Sequence, residues 1–168
     1  MLQVITPTGT AELEQVRQLM RAFIAWHRQR HIADTELIDR YFDAAAFEDE
    51  LASLPGKYAA PDGALLLAVH DGSPAGCVAL RKIDDAACEM KRMFVHTHMQ
   101  GKGVGRALGQ AVLEHARALG YTCMRLDTSI RQPEAQSLYR SMGFHDIEPY
   151  YALPDDVRDW LVFMELPL

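Results

Sequence analysis

The chain has 168 residues, of which 49% are hydrophobic and 24% are charged, so it can bury the core of one globular domain spanning residues 1–168. The formal net charge of −6 argues against general affinity for nucleic-acid phosphates and weakly favours a cationic substrate such as an amine. No apolar run approaches the roughly 20 residues that cross a bilayer, and the first residues lack the features of a signal peptide. We therefore expect a cytoplasmic protein with no membrane partner.

The first sixty residues predict one short strand and two helices. The strand covers residues 2–5 and ends at Thr6-Pro7. Apolar side chains then recur at three- and four-residue spacing, which predicts an amphipathic helix. They are Leu13, Val16, Leu19, Met20, Phe23 and Ile24. A second helical stretch covers residues 35–54 and stops at Pro55-Gly56.

The middle of the chain predicts three antiparallel strands. Residues 64–70 and 75–80 are apolar runs on either side of Asp71-Gly72, which is a tight-turn signal. Asp84-Asp85 is a second turn candidate, and a strand follows over residues 88–95. The hydrophobic pattern therefore predicts a meander.

The last third of the chain alternates helices and strands. An apolar stripe from residue 104 to a stop at Gly120 predicts a helix, and residues 122–128 follow as a strand. A strand, a helix and a strand in direct succession favour parallel pairing of the two strands. A further helix opens at Pro133 and closes at Gly143, before strand candidates at 144–151 and 160–166. The order predicts a mixed sheet with helices on both faces.

Cysteine and histidine spacings do not indicate a metal site. The three cysteines are Cys77, Cys88 and Cys123. Each lies among apolar neighbours and outside any CxxC pair, which predicts reduced and mostly buried thiols. His96 and His98 flank the end of a strand without a third ligand at suitable spacing, so we expect a loop there. His27 and His31 are four residues apart, and we expect them on the surface of the first helix.

A glycine-rich turn separates the strand ending near Val95 from the following helix. Its residues are Gln100, Gly101, Lys102, Gly103, Val104, Gly105 and Arg106. Glycines allow close backbone approach, and the free N–H groups of a helix start together with two cations suit a pyrophosphate. The turn lacks the Gly-Lys-Ser/Thr of a P-loop and the spacing of a dinucleotide-binding fingerprint. A tight connection without a ligand is the competing interpretation.

Two spaced motifs resemble the signatures of the GNAT superfamily of N-acetyltransferases. The first is Gln100-x-x-Gly103-x-Gly105, and the second is Ala135-x-x-Leu138-Tyr139-x-x-x-Gly143-Phe144. Met93-Phe94-Val95 precedes the first motif at the family's spacing, and the resemblance covers residues 64–144. It implies an α/β GNAT fold, a mixed central sheet of about six to seven strands flanked by about four helices. It also implies acetyl-CoA as co-substrate and no metal.

The resemblance assigns the cofactor to two segments. Backbone groups of Met93, Phe94 and Val95 are expected to hold the pantetheine arm, because in this family that strand splays from its neighbour. Residues 101–106 are expected to hold the pyrophosphate. The N–H of Phe94 is the expected donor to the thioester carbonyl. Gln132 stands where many members of the family have an asparagine that contacts the cofactor.

The same resemblance suggests catalytic roles for three side chains. Tyr139 is expected to protonate the departing thiolate, and core packing is the alternative for a tyrosine on an apolar helix face. An amine must lose a proton before it attacks, and a carboxylate can accept that proton. Glu89 and Asp127 occupy positions that different branches of the family use for this purpose. Alternatively, Glu89 pairs with Lys91, Asp127 forms a turn, and neither is the base.

The acceptor is left as a small-molecule or peptide amine. Residues 23–47 are expected to contribute to its site, and Tyr150, Tyr151 and Trp160 either wall that site or pack between the last strands. Homodimers are common in the family, so a homodimer is possible. Two other functions stay open: a non-catalytic acyl-CoA-binding sensor or interaction module, and a nucleotide-binding protein that uses the glycine turn for ATP.

Overall fold

A computed structural model describes residues 1–168 and places seven strands in one mixed sheet with the order β1-β2-β3-β4-β5-β7-β6. The strands are β1 (Leu2–Ile5), β2 (Ala64–His70), β3 (Ser73–Lys82), β4 (Ala87–Val95), β5 (Cys123–Ser129), β6 (His145–Ile147) and β7 (Leu161–Pro167). The helices are α1 (Thr10–Arg30), α2 (Thr35–Tyr41), α3 (Ala44–Ser53), α4 (Val104–Ala118), α5 (Pro133–Ser141) and α6 (Asp155–Asp159). The predicted mixed α/β sheet is confirmed.

Each face of the sheet buries its own hydrophobic core. On one face, the apolar stripe of α4 packs on the central strands; its buried members include Leu108, Val112 and Ala116. On the other face, α1 supplies Val16, Leu19 and other side chains to a second core, which α2, α3 and the segment before β7 complete. None of the helices combines the length and the apolar character that a bilayer crossing requires.

The central strands β4 and β5 pair in parallel over only three residues each. The pairs join Ala87 to Cys123, Cys88 to Met124 and Glu89 to Arg125. Beyond Glu89 the two strands separate, while β5 stays paired with β7 along its whole length. The predicted parallel pairing is therefore confirmed, and the splay leaves one backbone edge of β4 without a strand partner.

A β-bulge in β4 changes the direction of its side chains. The register with β3 shifts between Cys77 and Ala79, and Arg92 adopts a φ of 57°. Because one extra residue interrupts the alternation of the strand, the consecutive Lys91 and Arg92 lie on the same face. Lys91 contacts Tyr41 and Arg92 contacts Glu50, so this is the face covered by α2 and α3.

The helix predicted over residues 35–54 is two helices. Phe42, with φ of −103° and ψ of 77°, leaves the helical conformation after α2 and buries its ring in the core. The Asp43 carboxylate then caps α3 by accepting a hydrogen bond of 2.9 Å from the N–H of Ala46. The sequence prediction missed this break because an aspartate can also occupy the interior of a helix. Only the structure shows that Asp43 caps α3.

The region after α5 also differs from the prediction. Only His145–Ile147 of the predicted strand 144–151 pairs with β7, and the rest is irregular. The short helix α6 follows Pro154 and was not predicted. Trp160 is the C-cap residue of α6, so β7 begins one residue later than expected. These changes, with the divided second helix, give six helices instead of about four.

The three cysteines are free, and Cys77 and Cys88 are buried. Burial raises the pKa of each of these two thiols to about 12, so neither is a reactive thiolate near neutral pH. Cys123 is half-buried. The expectation of mostly buried thiols is confirmed.

We predict that Gly76→Ala destabilises the pairing of β3 with the cofactor strand. A Cβ at Gly76 would lie 2.5 Å from the carbonyl oxygen of Phe94, so the two strands must move apart. We expect a loss of about 1–3 kcal/mol in the free energy of unfolding, measured by urea denaturation. Ser73→Ala, at an exposed position of the same strand, is the control. Equal stability of the two variants would contradict the close approach at Gly76.

Candidate active site

A cleft of about 470 Å³ lies between the free edge of β4 and helices α1, α4 and α5. Ten of the eleven residues expected to bind the cofactor line it. They are Met93, Phe94, Val95, Gln100, Gly101, Gly103, Val104, Gly105, Arg106 and Gln132. Lys102 is not on the wall, and its Nζ lies 3.8 Å from Sδ of Met99. Residues predicted from separate parts of the chain therefore meet in one cleft.

The glycine-rich turn presents a row of unused backbone donors. Gly101 and Gly103 have φ angles of 76° and 80°, and a Cβ at either position would meet no atom within 4 Å. No backbone acceptor in the chain takes the N–H groups of residues 101–106; the first bonded amide is that of Ala107, to the carbonyl of Gly103. Open space, free donors and the start of α4 fit a pyrophosphate.

The expectation for the amide of Phe94 needs correction. The N–H of His96 bonds to the carbonyl of Ala75 on the β3 side at 2.9 Å. Because N–H directions alternate along a strand, the N–H of Phe94 also points to β3. The amide of Val95 faces the gap left by the splay instead. Phe94 still lines the cleft, but through atoms other than its amide N–H.

A much smaller inner cavity, of about 50 Å³, adjoins the cofactor cleft. Four residues line both spaces: Phe23, Met93, Gln132 and Tyr139. Phe42 and Trp160 also line the inner cavity, so residues from 23–47 and from the late segment contribute to it as expected. The Nε1 of Trp160 donates to Asp34 at 3.2 Å, which ties this wall to the start of α2.

Tyr139 stands at the junction of the two spaces. Its side chain is buried, and its ring packs against Phe144 with centroids 5.9 Å apart. Its hydroxyl makes no hydrogen bond within the chain, and burial together with the negative charge of Asp127 raises its pKa above the ordinary value. The phenol is therefore neutral and free to donate a proton or a hydrogen bond. Tyr139 therefore both packs in the core and lines the two spaces.

Gln132 is the N-cap residue of α5, and the oxygen of its side-chain amide already accepts hydrogen bonds. Its Oε1 accepts hydrogen bonds from Thr128 Oγ1 at 3.1 Å and from the N–H of Ser129 at 3.4 Å. These bonds fix the end of β5 next to the cleft. The amide nitrogen is left as the group that can meet a cofactor.

Asp127 lies in the inner cavity at the centre of a buried polar cluster. Its side chain is only 2% exposed. It accepts hydrogen bonds from the hydroxyls of Tyr41 and Tyr151, the latter at 2.6 Å, and Nζ of Lys91 lies 3.6 Å from its Oδ2. The structure thus brings Asp127 and Tyr139 to one cavity.

Glu89 occupies a different environment. It is fully buried, and it does not line the inner cavity. Its Oε1 accepts from Nε of Arg81 at 2.7 Å, and its Oε2 accepts from the hydroxyl of Tyr150. Lys91 also lies nearby, with Nζ 3.9 Å from Oε1. Both carboxylate oxygens are therefore engaged at the point where β4 and β5 part.

Lys91 and Arg92 do not face outward as ordinary strand charges would. Both side chains are 11% exposed and line the inner cavity. Arg92 binds Glu50 through two bonds of 2.8 and 3.1 Å. Burial opposes the ionisation of Glu50, but hydrogen bonds and charge from Arg92 and Lys57 outweigh it and lower the pKa of Glu50 to about 2. This ion pair anchors α3 to the bulge of β4.

His27 was expected on the helix surface and is instead buried in the wall of the inner cavity. Burial, with the charges of His31 and Arg30, lowers the pKa of His27 to about 4, so its ring is neutral near pH 7. Its Nδ1 is buried without a hydrogen-bond partner. A spacing of four from Phe23 on the buried stripe was the signal that the sequence offered.

Comparison with known proteins identifies the family to which this chain belongs. Residues 26–144, well over half of the chain, match the model of the acetyltransferase (GNAT) family. The chain belongs to the GNAT family. This acetyltransferase accordingly uses acetyl-CoA and acetylates amines.

Curated relatives of this acetyltransferase include an uncharacterised N-acetyltransferase of Schizosaccharomyces pombe, 38% identical over 64% of this chain and 67% of that protein. The N-acetylaspartate synthetase of Danio rerio is 34% identical over 77% of this chain, but the match spans only 47% of the synthetase. An IAA acetyltransferase of Azospirillum brasilense is 35% identical over 66% of this chain and 71% of that protein.

Solved structures confirm the fold. The PaiA N-acetyltransferase of Thermoplasma acidophilum, in complex with coenzyme A, aligns with a TM-score of 0.76 over 100% of this chain and 99% of that chain, at 17% identity. An acetyltransferase of Streptococcus agalactiae aligns with a TM-score of 0.75 over 99% and 98% of the two chains, at 22% identity. The splayed sheet therefore belongs to an established acetyltransferase architecture.

We predict that Gly103→Val abolishes acetyl-CoA binding in calorimetric titration, because its side chain fills the space in front of the free amides. Gly72→Val is a matched control: Gly72 also has a φ of 80° with no atom within 4 Å of a Cβ, but it lies in the β2–β3 turn. Both variants carry similar backbone strain, so only the cofactor site separates them. Normal acetyl-CoA affinity of folded Gly103→Val would show that the cofactor lies elsewhere.

Proposed function

We propose that this acetyltransferase moves the acetyl group of acetyl-CoA to a primary amine by direct attack within a ternary complex. The observation that carries this proposal is the meeting of the cofactor cleft and the inner cavity at Tyr139. The cofactor cleft has room for the acyl donor, and an amine that enters the inner cavity would meet the donor at the wall that the two spaces share. Bound acetyl-CoA supplies the activated acyl carbon.

Tyr139 acts as the proton donor in this proposal. The amine nitrogen forms a bond to the acyl carbon while the carbon–sulfur bond breaks, and the departing thiolate takes a proton or a hydrogen bond from the phenol. The hydroxyl of Tyr139 is free, and the raised pKa of Tyr139 keeps it protonated until the departing sulfur takes the proton or a hydrogen bond. The position at the junction gives the hydroxyl access to the cofactor side.

Asp127 is the proposed acceptor of the amine proton. An alkyl amine is mostly protonated near pH 7, so a base must take its proton before the attack. Asp127 lines the inner cavity together with Tyr139, whereas Glu89 does not line that cavity. We assign Glu89 the supporting role of fixing Arg81 and Tyr150 where the strands part. A non-catalytic acyl-CoA module has no need of Asp127 beside Tyr139.

The names of the relatives do not select one acceptor, because they include both an N-acetylaspartate synthetase and an IAA acetyltransferase. We propose a small-molecule or peptide amine as the general class. A cytoplasmic location, a single domain over residues 1–168 and a homodimer also stay predictions. Light scattering of the purified protein tests the last of these.

The direct test is calorimetric titration with acetyl-CoA, using ATP and NAD as controls, followed by incubation with an amine panel. We expect binding of acetyl-CoA alone, thiol release that depends on an amine, and a product heavier by one acetyl group in mass spectrometry. Binding of acetyl-CoA without acetylation of any amine would favour the non-catalytic module. Tighter binding of ATP would revive a nucleotide-binding function.

We predict that Tyr139→Phe lowers kcat by roughly 10²–10⁴-fold while the Kd of acetyl-CoA stays nearly unchanged, because only the proton donor is removed. Tyr121→Phe is the control, since it removes a hydroxyl from another buried tyrosine that lines neither space. Unchanged turnover of Tyr139→Phe would remove this residue from the mechanism.

We predict that Asp127→Asn lowers kcat/KM by roughly 10²–10⁴-fold, because the acceptor of the amine proton is lost. Glu89→Gln is expected to lower kcat/KM much less, since Glu89 only positions its neighbours. Thermal melting of both variants checks that they fold. A larger loss of kcat/KM in Glu89→Gln than in Asp127→Asn would transfer the role of base to Glu89.

A further inference from the structure

A second depression opens on the side of the inner cavity that faces α2 and α6, and we term it the basic basin. Five cationic side chains line it: Arg40, Lys57, Arg81, Lys91 and Arg92. Tyr41 and Tyr151 line it as well, and no carboxylate does. This concentration of positive charge stands out in a chain whose formal net charge is −6.

The carboxylates that pair with these cations lie behind the wall. Glu50 pairs with both Lys57 and Arg92, at 2.7 and 2.8 Å. Glu89 pairs with Arg81 at 2.7 Å. Both carboxylates are buried, with side chains 8% and 0% exposed. They therefore hold the cations in place without presenting negative charge to the basin.

Arg40 and Lys91 complete the charge pattern. Arg40 pairs with the exposed Asp156, and Lys91 lies 3.6 Å from Asp127. Neither partner lines the basin. Five cations thus face four carboxylates, which leaves an excess of one positive charge, and all five cations are on the basin side. An anion in the basin meets only attractive side-chain charges at the wall.

The exposure of the cationic side chains falls from the rim of the basin to its floor. The side chains of Arg40, Lys57 and Arg81 are 40, 45 and 39% exposed, whereas Lys91 and Arg92 are 11% exposed. Rim cations can bind a solute from solvent at little desolvation cost. The floor cations lie where a bound solute has lost most of its water, so its charge matters more there.

The floor of the basin is also a wall of the inner cavity. Tyr41, Lys91 and Arg92 line both. The basin shares no lining residue with the cofactor cleft, which lies on the far side of the inner cavity. Tyr41, whose hydroxyl donates to Asp127, therefore stands between a molecule seated in the basin and Asp127.

We propose that the basin receives the acceptor and that the acceptor is a primary amine carrying a carboxylate, that is, an amino acid. This inference rests on the proposed function and adds the substrate class. Arginine forks and lysine ammonium groups bind carboxylates through strong charge-assisted hydrogen bonds. The same five cations repel polyamines and other polycationic acceptors.

The test measures both binding and turnover, using the full chain loaded with CoA for calorimetry and with acetyl-CoA for kinetics. L-alanine and L-alaninamide form a pair that differs in structure only at the carboxylate, and their kcat/KM values are compared per mole of unprotonated amine because amidation also lowers the pKa of the α-amine. L-aspartate adds a second carboxylate, and spermidine is a polycation. We expect Kd values to rise in the order aspartate, alanine, alaninamide, spermidine, and kcat/KM to fall in the same order. Salt should weaken the binding of aspartate most.

Arg40→Gln tests the rim without leaving a buried charge unpaired, because its partner Asp156 is exposed. We expect the Kd of aspartate to rise roughly 5- to 10-fold with acetyl-CoA affinity unchanged. Arg28→Gln is the matched control, since Arg28 forms a similar exposed pair with Asp39 outside the basin. Lys57→Gln provides a second rim variant, as Glu50 keeps its bonds to Arg92.

The outcomes separate this inference from the proposed function. Alaninamide or spermidine binding as tightly as alanine, or acetylated more efficiently, would overturn the inference while the acetyltransferase activity stands. An unchanged Kd for aspartate in both rim variants would also overturn it. Binding of carboxylated amines in the expected order without acetylation of any amine would support the basin and contradict the proposed catalysis.

Discussion

The short parallel pairing of β4 with β5 is the constraint on which the site depends. Three residue pairs hold the strands together and then release them, so the centre of the sheet carries a wedge-shaped gap lined by unpaired backbone. A fully paired sheet would consume the amide of Val95 and close the space around Tyr139. The splay persists because each diverging strand keeps a full-length neighbour on its outer side, β3 for β4 and β7 for β5. The gap therefore removes no hydrogen bonds from the other strand pairs of the sheet.

Charge compensation makes it possible to bury so many ionisable groups in the wedge. Lys91 lies between Glu89 and Asp127, and tyrosine hydroxyls occupy oxygens that would otherwise be unsatisfied. Isolated burial of any one of these charges would destabilise the fold, whereas in the cluster each charged group has an opposite charge or a hydrogen-bond donor beside it. The bulge of β4 is essential to this arrangement, because it turns Arg92 to the same face as Lys91 and lets α3 bind the sheet through Glu50.

The sequence predicted those features that local patterns encode. The glycine turn and the parallel unit around α4 follow from spacing within a few residues, whereas the role expected for Tyr139 came from the resemblance to the GNAT family. The structure brings the glycine turn and Tyr139 to one cleft. Features set by distant contacts were missed. Strict alternation along β4 cannot foresee a bulge, so the shared face of Lys91 and Arg92 could not be predicted. The direction of the Phe94 amide depends on its register with β3. His27 continues the buried stripe of α1, but it was predicted to lie on the helix surface because its side chain is polar.

The separation of cofactor and acceptor walls has a consequence for the divergence of this enzyme. Cofactor groups lie on the free edge of β4, the glycine turn and α5, whereas the rim cations lie on α2, on the turn that carries Lys57 and at the end of β3. A substitution at the rim can therefore change which molecules are acetylated and leave recognition of the acyl donor intact. Selection can act on the two halves independently, so one scaffold can acquire new acceptors by small changes at its periphery.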